Sequence, residues 1–317
     1  MAGAAGRASA PTQGTTGSRP SGGQSSAPTA APLPEPDLRT VLFVDEQHGW
    51  AAGSQRIIAT ADGGATWSIQ YTGPHVIQQL DMLNQRDGWA VAPDALLQTT
   101  DGLTWHPAPA SPPGTTERVY FTSPASGYAI AGAALFHTAD AATTWQPVAT
   151  PVAPGATCWV NDSTGWIGDR GPFSSGISTS PNSAASLFMT ADAGRTWRSL
   201  PLPPVMSDPQ FGQRLQCVPP ATVWDLLLGS AGAGSQQYAL IRSADGGQSW
   251  RSVTGLHLQP NTVPQGPGSY ATALSVVDAQ TAFLGGICGA CSPDGRADGV
   301  GRTLDGGASW QNYPVVG

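Results

Sequence analysis

The sequence predicts an all-β chain folded as a six-bladed β-propeller of four-stranded antiparallel blades, with seven blades as the alternative. Three observations carry this. One short motif recurs six times: Thr60-Ala-Asp62-Gly-Gly64-Ala-Thr-Trp67, the shortened Thr99-Thr-Asp101-Gly-Leu-Thr-Trp105, Thr138-Ala-Asp140-Ala-Ala-Thr-Thr-Trp145, Thr190-Ala-Asp192-Ala-Gly194-Arg-Thr-Trp197, Ser243-Ala-Asp245-Gly-Gly247-Gln-Ser-Trp250 and Thr303-Leu-Asp305-Gly-Gly307-Ala-Ser-Trp310. Successive motif aspartates are 39, 39, 52, 53 and 60 residues apart, and the shortest of these spacings is the length of one four-stranded blade. The composition, with 40 Gly, 29 Pro and 11 Trp but only 11% charged residues, suits many short strands and turns rather than helices with charged outer faces.

Residues 1–37 are built from Ala, Gly, Ser, Thr, Gln and Pro and are expected to form a disordered linker, because they have too little apolar surface to offset the entropy of ordering. They have neither the charged nor the apolar region of a signal peptide. Such a tether commonly follows a lipid anchor or membrane helix, which would put the chain outside the cell or in the cell envelope. No 18-residue apolar window occurs, so no membrane span is expected within the chain.

The propeller is expected over residues 38–317. Each unit opens with an apolar strand A, a polar turn and an aromatic that starts strand B: Phe43…Gly49-Trp50, Met82…Gly88-Trp89, Phe121…Gly127-Tyr128 and Trp159…Gly165-Trp166. In the fifth and sixth units Trp224 and Phe283 take the aromatic place without the preceding Gly. The second unit shows the full cycle, with strand A around Val76 to Leu83, strand B from Trp89, strand C over Ala95 to Thr99 and strand D from Thr104.

The motif falls where strand C turns into strand D. Its aspartate can accept hydrogen bonds from the N–H groups that follow, and the Gly two places on can take positive φ without steric cost. The closing Trp is expected to pack on the turn or on a neighbouring sheet. Asp62, Asp101, Asp140, Asp192, Asp245 and Asp305 are therefore read as structural, since a catalytic group is needed once and this one is copied around a ring.

These residues resemble the Asp-box, or BNR repeat, of sialidases, sortilin-type receptors and related propellers. The longer unit Gly49-Trp50-Ala-Ala-Gly53 with Ile57-Ile58-Ala-Thr60-Ala-Asp62-Gly-Gly-Ala-Thr-Trp67 is most similar to the photosystem II assembly/stability-factor branch of BNR-like proteins. The resemblance covers residues 38–317 and implies a binding or assembly propeller. It departs from that branch in blade number, which is usually seven there.

Sialidases share the boxes and set the competing reading, a glycan-active hydrolase. Their chemistry needs three arginines on a carboxylate, a Tyr nucleophile with a Glu partner and an Asp acid/base. The Arg-Ile-Pro segment ahead of their first box is absent here, where Arg39 is followed by Thr40 and Val41, and Glu occurs only at positions 35, 46 and 117. A general glycosidase needs two carboxylates roughly 5–10 Å apart, and no pair is nominated by the sequence. His48, His75, His106, His137 and His257 have no ligand spacing, so no metal or other cofactor is expected. All 14 basic residues are Arg and the net charge is −7 without a basic run, which argues against a nucleic-acid partner. The expectation is a monomeric, non-catalytic module that recognises a protein or glycan.

Four cysteines are compatible with two bridges in an oxidising compartment. Cys288-Gly-Ala-Cys291 has CxxC spacing, for which a local disulfide is favoured over zinc or redox chemistry. Cys158 lies eight residues before its strand B aromatic and Cys217 seven before its own, so they have opposite strand parity. Neighbouring blades stack face to back, which brings the two to one interface as either a bridge or two buried thiols.

Blades 1–3 are minimal and blades 4–6 are not. The extra residues fall at 169–185, 229–237 and 286–299 between strands B and C, and at 201–213 and 254–272 between strand D and the next strand A. Both connections emerge at the end opposite the boxes, so the long loops gather on one half-rim. Arg118 and Arg214 share the place ten residues before the strand B aromatic, and Arg170, Arg296, Phe173 and Tyr270 lie in or beside the enlarged loops. This half-rim is the expected partner surface, against the alternative that the loops are spacers.

Overall fold

The computed structural model describes residues 38–170, 186–203, 212–232, 235–254, 269–288 and 297–315. The expected linker at 1–37 and the middle of the loops at 171–185, 204–211, 255–268 and 289–296 lie outside these. Six antiparallel sheets follow one another along the chain. The first contains β1 (Leu38–Phe43), β2 (Gly49–Thr60) and β3 (Ser68–Val76). The second has β4 (Gln79–Met82), β5 (Gly88–Ala92), β6 (Ala95–Thr99) and β7 (His106–Pro107). The third has β8 (Thr116–Phe121), β9 (Gly127–Ala131), β10 (Ala134–Thr138) and β11 (Gln146–Val148), and the fourth β12 (Pro154–Trp159), β13 (Gly165–Asp169), β14 (Leu187–Thr190) and β15 (Arg198–Leu200). The fifth has β16 (Gly212–Val218), β17 (Thr222–Gly232), β18 (Ser235–Ser243) and β19 (Arg251–Thr254), and the sixth β20 (Ser269–Val276), β21 (Ala282–Cys288), β22 (Ala297–Thr303) and β23 (Gln311–Val315). This is the six-bladed propeller that the repeats predict. No helix among the described residues is long and apolar enough to cross a membrane.

Blade 1 counts three strands because strands B and C form one twelve-residue element. Within β2, residues 49–53 pair with β1 and residues 54–59 pair with β3. Gln55, at φ 64°, holds the place that Ala133, at φ 68°, holds in the β9–β10 turn of blade 3. Val76, expected in strand A of blade 2, instead ends strand D of blade 1 by pairing with Ser54. The extra residues of blade 5 at 229–237 are largely strand rather than loop, since β17 and β18 stay paired out to Gly232 and Ser235.

The boxes are self-capped turns. Asp192 accepts from the Thr196 N–H at 2.9 Å and from its hydroxyl at 2.6 Å, while the Thr190 hydroxyl donates to Asp192 and accepts from the Gly194 N–H. The same pattern recurs at Asp62, Asp140, Asp245 and Asp305. These bonds favour the charged carboxylate and hold it well below its ordinary range, at about 2 in Asp62 and Asp192. Two successive residues take positive φ in each full-length box. In blade 3 these are Ala141 and Ala142, at 56° and 61°, and in blade 4 the first is Ala193, at 62°, so the box tolerates alanine at places where blades 1, 5 and 6 have glycine. Each box docks on the A–B turn of its own blade, as in Gly63 N–H to Gln47 O, Ala193 N–H to Ser163 O and Gly306 N–H to Gln280 O. At the opposite end the B–C turns meet the strands entering from the preceding blade, as in Gly132 N–H to Thr115 O and Arg170 N–H to Ala153 O.

Consecutive blades are locked through strand A and the strand B aromatic. Trp89 of blade 2 stacks on Phe121 of blade 3, and Tyr128 of blade 3 on Trp159 of blade 4, each with ring centroids 3.4 Å apart. Beside these rings, the residue eight places before the aromatic reaches the next blade's residue at minus seven. Asp81 accepts from the Phe121 N–H at 2.7 Å, Gln216 accepts from the Val276 N–H at 2.6 Å, and Cys158 is disulfide-bonded to Cys217 with Cα atoms 5.7 Å apart. The opposite parity of the two cysteines thus serves the same contact that a carboxylate and an amide make elsewhere. Cys291 lies outside the described residues, so the expected local bridge to Cys288 does too.

Burial pushes the Asp81 carboxyl up to about 7, even though the Phe121 N–H favours its charged form. Its folded value therefore lies above the ordinary 3.8. The contribution to stability is full below about pH 4 and is lost as pH rises through 7. Asp81→Asn keeps an acceptor for Phe121 and removes the charge. It should match the parent at pH 4 and exceed it at pH 8 by about 1–3 kcal/mol in denaturant unfolding. Equal differences at the two pH values would refute this account.

Candidate binding site

The site is built by the strand A ends of blades 3 and 5 and the strand B end of blade 4. Arg118 lies in β8 opposite Ile130, and Arg214 in β16 opposite Leu226. Both are half-buried. Burial lowers the proton affinity of both guanidiniums, and the nearby charge of Arg214 lowers that of Arg118 further, against a smaller opposing effect of Glu117. The charge of Arg214 thus acts on Arg118 from two blades away, and neither forms an ion pair among the described residues.

Arg170 follows β13. A Cβ on Gly155 would meet the Arg170 Cα at 2.4 Å, so only glycine allows the chain to pass this close and places Arg170 beside strand A of its blade. Its Nη2 bonds both carboxylate oxygens of Glu117 in blade 3. On the other side, Gln213 presses on Gly168 of blade 4, where a Cβ would sit 1.9 Å from Gln213 Oε1. Gln213 Nε2 donates to Asp225 Oδ2 at 3.2 Å. Asp225 is wholly buried, and that burial pushes its carboxyl well above the ordinary range.

Three guanidiniums against the Glu117 and Asp225 carboxyls, with burial disfavouring the charged form of Asp225, leave the cluster with an excess of positive charge. Its buried polar capacity is unfilled: Arg170 Nε, Arg214 Nε, Gln213 Oε1 and Asp225 Oδ1 have no hydrogen-bond partner among the described residues. The two arginine Nε–H groups among these are buried donors without acceptors, which is costly, and an oxyanion entering here would supply the acceptor.

Of the residues expected on the half-rim, the structure brings Arg118, Arg170 and Arg214 together. Phe173 and Arg296 lie outside the described residues. Tyr270 is placed by its backbone, in β20 opposite Ile287. Glu117, Gln213 and Asp225 are site residues that the sequence reading missed. Asp225 left a signal: it follows the strand B aromatic where the other blades carry Ala51, Ala90, Ala129, Ile167 and Leu284, so it is a lone acid in an apolar column.

Six blades and their self-capped turns define the class, an Asp-box β-propeller. Residues 32–165, which span the first three blades, match the family described as photosynthesis system II assembly factor YCF48. No curated protein matches the chain. Among solved structures the chain is similar to "YCF48 bound to D1 peptide", with 20% identity, a TM-score of 0.54, and coverage of 87% of this chain and 80% of that one. It is also similar to YCF48 from Cyanidioschyzon merolae, at 14% identity and TM-score 0.56 over 87% and 84% of the two chains. A GH74 xyloglucanase from Xanthomonas campestris aligns at 16% identity and TM-score 0.57, over 87% of this chain and 47% of the enzyme. At these identities the structural likenesses establish the fold, and the family match adds the YCF48-type repeat in the first three blades.

Proposed function

We propose that the chain is a non-catalytic assembly or binding propeller that captures an acidic or carboxyl-terminal segment of a protein partner between Arg118, Arg170 and Arg214. The observation that carries this is the pair of desolvated guanidiniums of Arg118 and Arg214, neither of which forms an ion pair among the described residues. The peptide carried by the YCF48 structure supports a protein rather than a glycan partner. A hydrolytic role finds no support in the site's own acids, since Glu117 is held by Arg170 and Asp225 is wholly buried. The Cys158–Cys217 bridge supports an oxidising compartment, outside the cell or in its envelope. The test is a calorimetric titration with acidic peptides ending in a free carboxylate and with their amidated forms. Arg118→Ala with Arg214→Ala should weaken the free-carboxylate peptide at least ~10-fold, the equivalent of one charge-assisted hydrogen bond. Unchanged affinity together with unchanged melting would overturn the assignment.

A further inference from the structure

Several blades carry a bulge at one place in strand A, eleven residues before the strand B aromatic. The register of strands A and B shifts there at Arg39 in blade 1, Glu117 in blade 3, Gly155 in blade 4 and Thr272 in blade 6. A bulge turns a side chain out of the alternation of its strand. Two of these bulges meet at the arginine site. In blade 4 the residue is Gly155, whose missing side chain leaves room for Arg170. In blade 3 it is Glu117, which reaches forward to the Arg170 guanidinium while its neighbour Arg118 resumes the pairing with strand B. Around the ring the place is held by Arg39, Gln78, Glu117, Gly155, Gln213 and Thr272, so an acid occurs there once, beside the three arginines.

Glu117 does two things to the site. It answers the charge of Arg170, so that among the described residues the positive charge open to a ligand is that of Arg118 and Arg214. It also keeps a carboxylate at the mouth of the cluster, its side chain 32% exposed against 22% for Arg170. Its charge acts on Arg118 in the sense opposite to that of Arg214. The cost of removing an anion from water grows with the square of its charge, whereas the attraction it recovers grows only in proportion. A lowered positive potential therefore tells twice as strongly against a doubly charged group as against a singly charged one. We propose that Glu117 is the specificity-determining residue of this site, admitting a singly charged carboxylate and excluding doubly charged groups such as a phosphate monoester. This rests on the reading of the arginine cluster as an anion site. Arg118 and Arg214 suffice for the two oxygens of a carboxylate, and the third guanidinium that a phosphate would use is already taken.

The test uses the full chain and two matched peptides, one ending in a free carboxylate and one amidated with phosphoserine as its last residue. Both are titrated calorimetrically at about pH 7.5, where the phosphate carries close to two charges. The wild-type chain should bind the carboxylate peptide more tightly. Glu117→Gln should tighten the carboxylate peptide about 3-fold and the phosphopeptide about 10-fold, because the energy of a charge in a given potential scales with that charge and the second factor is near the square of the first. Combined with Arg170→Gln, the same change restores the wild-type charge and should lose most of both gains. Equal gains for the two peptides would refute a role in charge selection, and a loss for both would show that Glu117 only holds Arg170 in place. A wild-type chain that binds the phosphopeptide as tightly as the carboxylate peptide overturns the proposal without any variant. Binding of the carboxylate peptide that Glu117→Gln leaves unchanged, with the phosphopeptide equally unmoved, defeats this proposal alone. Failure of the wild-type chain to bind either peptide defeats the anion site itself.

Discussion

Trp89→Ala should cost about 3–5 kcal/mol of unfolding free energy, the range for removing a large buried aromatic. Trp89 is fully buried and lies flat on Phe121, with the ring planes 1° apart. The substitution empties the junction between blades 2 and 3 at its centre, where Val91, Leu96 and Ala129 are also buried and cannot move in to fill the space. Its indole N–H has no partner among the described residues, so the loss is one of packing and stacking alone. Trp67→Ala is the control. Its ring meets Phe43 edge-on at the open face of blade 1, and its removal should cost far less. The measurement is denaturant unfolding of both variants beside the parent. Losses of similar size would show that the stacked junction is not the stronger point.

Removing the Cys158–Cys217 bridge by a paired change to serine should cost about 2–4 kcal/mol. The bridge spans 59 residues of sequence, and closing a loop of that length restricts the unfolded chain by roughly 4 kcal/mol in the chain-entropy account. Cys158 is fully buried among Ala156, Trp166 and Leu215, so the serine hydroxyl also arrives without an evident partner. Thermal unfolding with and without reductant gives the same comparison without mutation. A shift below about 1 kcal/mol would mean that blades 4 and 5 are held by apolar packing alone. The bridge shares strand β16 with Gln213 and Arg214, so its loss should loosen the arginine site as well as the fold.

Much of this was legible before any coordinates. The box turns are local, and their spacing gave the blade count. Alternation along a strand gave the parity that brought Cys158 and Cys217 to one interface. The boundary errors were of a kind that local patterns cannot avoid. Val76 is apolar and fits either the end of one blade or the start of the next, and only its pairing with Ser54 decides. The long insertion in blade 5 has a loop-like composition, yet it continues the β17–β18 hairpin.

The arginine site was legible in part. The shared position of Arg118 and Arg214 could be counted from the strand B aromatics, and the enlarged loops pointed to Arg170. The ion pair between Arg170 and Glu117 could not be counted, because it joins residues 53 apart across two blades. Nor could the raised proton affinity of Asp225, which follows from complete burial.

The sequence by itself determined the repeat, the turns, the strand faces and the residue types that each face presents, since these follow from φ preferences and a period of two. Tertiary structure alone decided which faces have a neighbour. Phe43 and Phe121 hold the same place in the same motif, yet one is exposed and the other sealed. The physical reason is that burial depends on the surface a distant segment brings up against it, and no pattern within one blade carries that information.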